Sequence, residues 1–181
     1  MHQLITPRSD FTTNWKSFLK KFLGLDFSTD VLPSSQADPG WRLLVIPTAL
    51  TVGQAADACR RHFKCHFELS DLCETSLRSA RDAAATHVVR LQDCREADDP
   101  VLRAYRPGGP GFITLVERLV FELKFWSETG LHLDVARSTA CYGTVGNDGD
   151  VPVIDWDARL RLTWASIDAA CDGGYTRQVS L

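Results

Sequence analysis

The sequence predicts an α+β domain: a mixed or mainly antiparallel sheet covered by two main helices, with a three-strand meander at the C-terminal end. Three observations carry this. Capping boxes open helices at residues 51–64 and 114–129, because Thr51 is followed at helical N3 by Gln54 and Thr114 by Glu117. Branched apolar runs at residues 41–46 and 86–91 read as buried strands. From residue 139 onward, strand patterns succeed one another with only turn residues between them. That succession favours α+β over a doubly wound α/β fold, the alternative, which alternates strand with helix.

Taken in order, Trp15, Phe18, Leu19, Phe22 and Leu23 recur at the spacing of one helix face, and Gly24 stops that helix. Lys16, Lys20 and Lys21 read as its wet side. Residues 26–40, with Pro33, Ser34, Ser35, Pro39 and Gly40, favour turns and extended chain. Residues 1–40 are therefore read as an amphipathic helix with a connector, and residues 41–181 as a single domain. Pro47 ends the first strand by removing a ladder donor. In the helix that follows, Val52, Ala55, Ala56, Cys59 and Phe63 form the apolar face. Residues 64–69 suggest a short strand and residues 70–85 a loop or imperfect helix. The strand at 86–91 runs into Glu96, Asp98 and Asp99, read as a solvated acidic loop, and residues 106–111 are rich in Gly and Pro. The helix at 114–129 is apolar nearly all round, so it should be the central one. Strands follow at 139–144, 151–156 and 159–165, the last alternating Leu160, Leu162 and Trp164 with Arg159, Arg161 and Thr163.

The 181 residues are 44% apolar and 24% charged, close to average globular usage, which excludes a disordered or fibrous chain. Twenty basic and 23 acidic side chains give a formal charge of −3, so nucleic acid is not indicated as a partner. No apolar run approaches the ~18 residues of a membrane span, and no secretory leader pattern opens the chain. A cytoplasmic protein whose six cysteines stay reduced is the expectation.

Several stretches together resemble a family of hypothetical proteins abundant in the genomes of uncultivated candidate-phylum bacteria. The resemblance rests on Trp41-Arg-Leu-Leu-Val-Ile46 with Leu50-Thr51, Arg95-Glu-Ala-Asp-Asp99, Ile113-Thr-Leu-Val-Glu-Arg-Leu119 and Glu122-Leu-Lys-Phe125. It extends through Glu128-Thr-Gly130, His132-Leu-Asp134, Cys141, Asp148-Gly149, Val151-Pro152, Trp156, Trp164 and Arg177. Leu131, Val145 and Gln178 depart from it, standing where lysine, arginine and glutamate are usual. What the resemblance implies is a bacterial cytoplasmic setting. It supplies neither mechanism nor cofactor.

Four constellations could carry chemistry. Cys59, His62, Cys65 and His66, with Cys73 behind them, have the donor types zinc prefers, but no second cysteine pair follows; a packed cysteine and surface histidines account for them as well. Cys141 with His132 and Asp134 suggests a nucleophilic triad, although a strand cysteine is more often core. Asn147, Asp148 and Asp150 around Gly149 offer oxygen ligands but read first as a turn. Trp156 and Trp164, facing one another across strands, would with Arg161 and Arg177 make an aromatic and cationic binding surface if they point outward. No catalytic motif stands out, so the sequence reads as a binding or interaction module without a cofactor, and more as a non-enzyme than an enzyme. The alternatives are a small enzyme using Cys141 with His132, or a zinc-stabilised module. The stripe Trp15, Phe18, Leu19, Phe22 and Leu23 needs cover, from its own domain or from a protein partner or second copy.

Overall fold

The computed structural model describes residues 14–26, 40–48, 50–67, 77–81, 85–102 and 106–181. Most of the connector, most of the stretch 70–85 and Cys73 lie outside them. The first helix, α1, covers residues 14–23; it is α-helical at first and widens to a π-helix over Leu19–Leu23. Gly24 stops it in the left-handed conformation (φ 70°), donating its N–H to the Leu19 carbonyl.

Strand β1 (Trp41–Ile46) leads to α2 (Val52–His62), whose capping box is made in full: Gln54 N donates to Thr51 Oγ1 at 3.1 Å and Thr51 N to Gln54 Oε1 at 3.0 Å. Short strands β2 (Cys65–His66) and β3 (Arg78–Ser79), then β4 (His87–Gln92) and β5 (Asp99–Pro100), precede the central helix α3 (Leu115–Thr129). This helix is buried almost throughout, from Leu115 to Phe125, with only Val116 partly open. Gly130 ends it at φ 70°. The chain then forms β6 (Thr139–Ala140), β7 (Thr144–Val145), β8 (Val151–Trp156), β9 (Leu160–Ala165), α4 (Ile167–Cys171), β10 (Tyr175–Thr176) and β11 (Val179–Ser180).

The fold is α+β. Among the described residues, β1, β4 and β11 form an antiparallel sheet in the order β1-β4-β11. A mixed sheet runs β2-β9-β8-β6-β10-β5, parallel at β2/β9 and β6/β10, and β3 pairs with β7. The predicted meander is present as β6, β8 and β9, paired antiparallel, but its first strand is shorter than the pattern at 139–144 suggested. After Ala140 the chain turns, with Tyr142 N donating to Ala140 O and Thr144 N to Cys141 O. The cause is a close approach at Gly143, which donates to Ile113 O at 2.9 Å. A Cβ there would lie 2.5 Å from the Phe112 carbonyl oxygen, so only glycine lets the two segments meet.

The apolar face of α1 is built into the core of the domain. Phe22 meets Trp126 of α3 edge-on at 6.3 Å, Arg61 of α2 donates to Phe22 O at 3.1 Å, and Lys124 of α3 sits over the Trp15 and Phe18 rings. Trp15, Phe18, Leu19 and Phe22 are all buried and Leu23 packs against the same core. The stripe offered in sequence to a partner or a second copy is thus covered within the chain. Among the described residues, no helix is long and apolar enough to cross a membrane.

Candidate functional site

A pocket of about 260 Å3 opens where the N-terminal ends of α2 and α3 come together. The end of β1 contributes Ile46 and Pro47, the following loop Leu50 and Thr51, α2 Val52 and α3 Val116. Its other wall is Leu77, Ser79 and Arg81 around β3, with His87 from β4 and Thr144 from β7. Local chemistry explains the placing: Pro47 ends the strand, Thr51 starts the next helix as its cap, and Thr144 Oγ1 accepts the Leu115 N–H at 2.9 Å, tying β7 to the start of α3.

Glu117 of α3, fully buried, anchors the polar end of this pocket. Its Oε2 closes the capping box by accepting Thr114 N at 2.8 Å, which leaves Oε1 for Arg81 Nε at 3.0 Å and His87 Nε2 at 3.3 Å. Arg81 also donates from Nη1 to Pro110 O at 2.6 Å and from Nη2 to Phe112 O at 3.4 Å. Arg81 thereby places a counter-charge beside a carboxylate that solvent does not reach. The result is a largely apolar cavity with Ser79, Arg81, His87 and Thr144 on one wall and Thr51 on the other, a form that small-molecule sites take.

A second buried constellation brings together three of the residues singled out in sequence, Asp134, Arg177 and, through Glu122, His132. Arg118 Nη1 donates to Glu122 Oε2 at 2.8 Å and Nε to Asp134 Oδ2 at 2.9 Å; Nη2 lies 2.8 Å from the same oxygen but out of line for a hydrogen bond. Asp134 also accepts from Arg177 Nη2 at 2.6 Å, from Ala97 N at 2.9 Å and from the Thr139 hydroxyl. Its backbone is left-handed (φ 53°), which aspartate tolerates better than most residues. Burial opposes ionisation of Asp134, but Arg118 and Arg177 outweigh it and hold the carboxyl below its usual range. Conversely, burial would lower the Arg118 pKa, and Asp134 and Glu122 raise it instead.

His132 does not join Asp134 and Cys141 in a triad. Its Nδ1 meets Glu122 Oε1 at 2.9 Å and its ring stacks on Trp156, with centroids 3.3 Å apart. Cys141 is fully buried, and burial pushes its thiol up to about 12, so it lacks the thiolate a nucleophile needs. Arg177 corrects a further expectation. It is buried, with Nη1 on Cys94 O and its guanidinium over Phe121, and takes no part in an outward surface.

The two tryptophans are not opposite one another either: Trp156 pairs with Leu160 and Trp164 with Pro152, at opposite ends of the β8/β9 hairpin. Both pack against the core while Arg161 grips Asp155 through two hydrogen bonds, of 2.7 and 2.9 Å. Of the zinc candidates, Cys59 is buried in the α2/α3 contact, where burial raises its thiol well above normal, and Cys65 rises to about 11 for the same reason. His62 and His66 are both exposed; the His62 ring lies tilted against Phe22 and Trp126, its pKa lowered by partial desolvation and by Arg61 and Lys21. Among the described residues, no three His, Cys, Asp or Glu side chains come together to hold a metal. Residues 147–150 form the expected turn, closed by Gly146 N on Asp150 O. Glu96 is more than a solvated acid, since its carboxylate accepts the N–H groups of Val135, Ala136 and Arg137.

Sequence reasoning did not find the pocket. Arg81 lies in a stretch without periodicity, and Glu117 was read only as a capping residue, a role that conceals its second oxygen. His87, at the start of a strand with a core-like pattern, was the one available signal. Compared against protein families, curated proteins and solved structures, the chain matches none.

Proposed function

We propose that the protein is a binding module for a small, largely apolar molecule held between the N-terminal ends of α2 and α3. The observation that carries this is the pocket itself: a largely apolar cavity whose polar lining groups among the described residues are Thr51, Ser79, Arg81, His87 and Thr144, backed by a buried glutamate. The cytoplasmic, bacterial setting implied by the resemblance is kept in this reading.

Ligand-detected NMR with a panel of single-ring aromatic and short alkyl compounds, charged and neutral, tests it against wild type and Val116→Trp. Val116 is partly exposed on the pocket wall, so an indole there fills the cavity at small cost to the core. Binding by wild type that is lost in Val116→Trp, with thermal unfolding within a few degrees of wild type, supports the proposal. A panel that does not bind, or binds both proteins alike, defeats it.

A further inference from the structure

The geometry points to a carboxylate as the polar group of the molecule that this pocket takes, an inference that rests on the binding-module reading above. Charge is the first ground. Among the described residues that line the pocket, Arg81 and His87 are basic and none is acidic. Glu117 lies behind them and is already engaged by both.

Hydrogen-bond accounting is the second ground. A guanidinium carries five N–H donors, and Arg81 spends one from each nitrogen, on Glu117, Pro110 O and Phe112 O. One N–H on each terminal nitrogen remains, on a side chain that is 5% exposed. The hydroxyls add to this surplus. Ser79 Oγ accepts from Arg81 N, Thr144 Oγ1 from Leu115 N and Thr51 Oγ1 from Gln54 N, so each oxygen already has a donor and each O–H is still to be given. Glu117 is largely occupied as well, with Oε1 shared by two donors and Oε2 accepting from Thr114 N.

The polar end therefore has donors to spare and few acceptors. A carboxylate brings acceptors alone and matches the two-pronged geometry of a guanidinium. A primary amide would bring two further donors to a site whose hydroxyl and carboxylate oxygens each already accept one, and only one acceptor oxygen for the guanidinium. The N-terminal ends of two helices, of 11 and 15 residues, add a field favourable to negative charge at the same place. Ile46, Leu50, Val52, Leu77 and Val116 then cover the rest of the molecule, which makes it an alkyl or aryl carboxylate.

Affinities of the full chain for hexanoate and benzoate, measured against hexanamide and benzamide, decide the matter. Carboxylates at least ~10-fold tighter than their amides, with the difference shrinking as salt is raised, are expected. Arg81→Met should abolish the preference. Because Arg81 also ties residues 77–81 to α3, the salt series on wild type stands as an independent measurement should that variant not fold. Amides that bind as tightly as carboxylates, or a folded Arg81→Met that keeps the preference, overturn the inference and leave the pocket reading standing. If neither class binds, both fall.

Discussion

Replacing Asp134 by asparagine removes a charge from the buried chain with little change in shape, since asparagine also accepts the left-handed backbone at φ 53°. Four donors converge on the wild-type carboxylate: Ala97 N, Arg177 Nη2, Arg118 Nε and the Thr139 hydroxyl. An amide has one acceptor oxygen, so either orientation turns an NH2 group toward donors. Two guanidinium groups, each less than 5% exposed, lose their shared counter-charge. Breaking a buried pair in this way costs about 3–5 kcal/mol. At about 2–4 °C per kcal/mol for a chain of 181 residues, the unfolding temperature should fall by roughly 6–20 °C.

The loss should depend on pH. The folded Asp134 carboxyl titrates below its unfolded value, so the unfolded state takes up the proton first on acidification. Its contribution is complete above the unfolded pKa of about 3.9 and disappears as pH falls through the lower folded value. Urea unfolding should accordingly show a gap between wild type and Asp134→Asn that is widest near neutrality and closes in acid. Glu128, whose carboxyl is also held low because Arg42 and Lys124 outweigh its burial, remains in both proteins and cancels from the difference. A loss below about 1 kcal/mol at neutral pH, or a gap that stays constant into strong acid, would refute the assignment of this chain as the tie between α3 and the C-terminal segments.

Two further outcomes follow from burial. Unfolded thiols ionise near 8.5 whereas Cys141 holds its proton to about 12, so its contribution to stability is lost as pH rises between those values, at about 1.4 kcal/mol per unit. Cys141→Ala should flatten the alkaline decline in urea midpoint by that slope, and an unchanged decline would count against a buried neutral thiol. Trp15→Ala should cost about 3–5 kcal/mol without altering the mass in solution, because the ring is 2% exposed against its own domain. A change of oligomeric mass by light scattering would show that the stripe serves a second chain instead.

Local patterns made much of the fold legible. Thr51 with Gln54 and Thr114 with Glu117 mark helix starts through bonds that span three residues, and Gly24 and Gly130 mark helix ends through their own backbone freedom. The strands at 41–46, 151–156 and 160–165 were legible because burial on a pleated surface selects branched and alternating residues. Of the second constellation, His132, Asp134 and Arg177 stand out in sequence, but with the wrong relations, and Cys141 stays outside it. Charge type is visible in a sequence, whereas which carboxylate a guanidinium meets, and whether water reaches it, depends on contacts such as Arg177 to Asp134 across 43 positions.

What the sequence determined by itself had a short range: the main helices and their ends, the central α3, the late succession of strands and the demand of Trp15, Phe18, Leu19 and Phe22 for cover, though not the short α4 capped by Ser166. Tertiary structure alone decided what covers them, why the chain turns at Gly143, and that Arg81, His87 and Glu117 meet beside an apolar cavity. The physical reason is separation. Propensities and caps act over one or two turns of chain, but a cavity exists only where distant segments fail to fill a common volume, and a buried charge is tolerated only where a distant partner arrives.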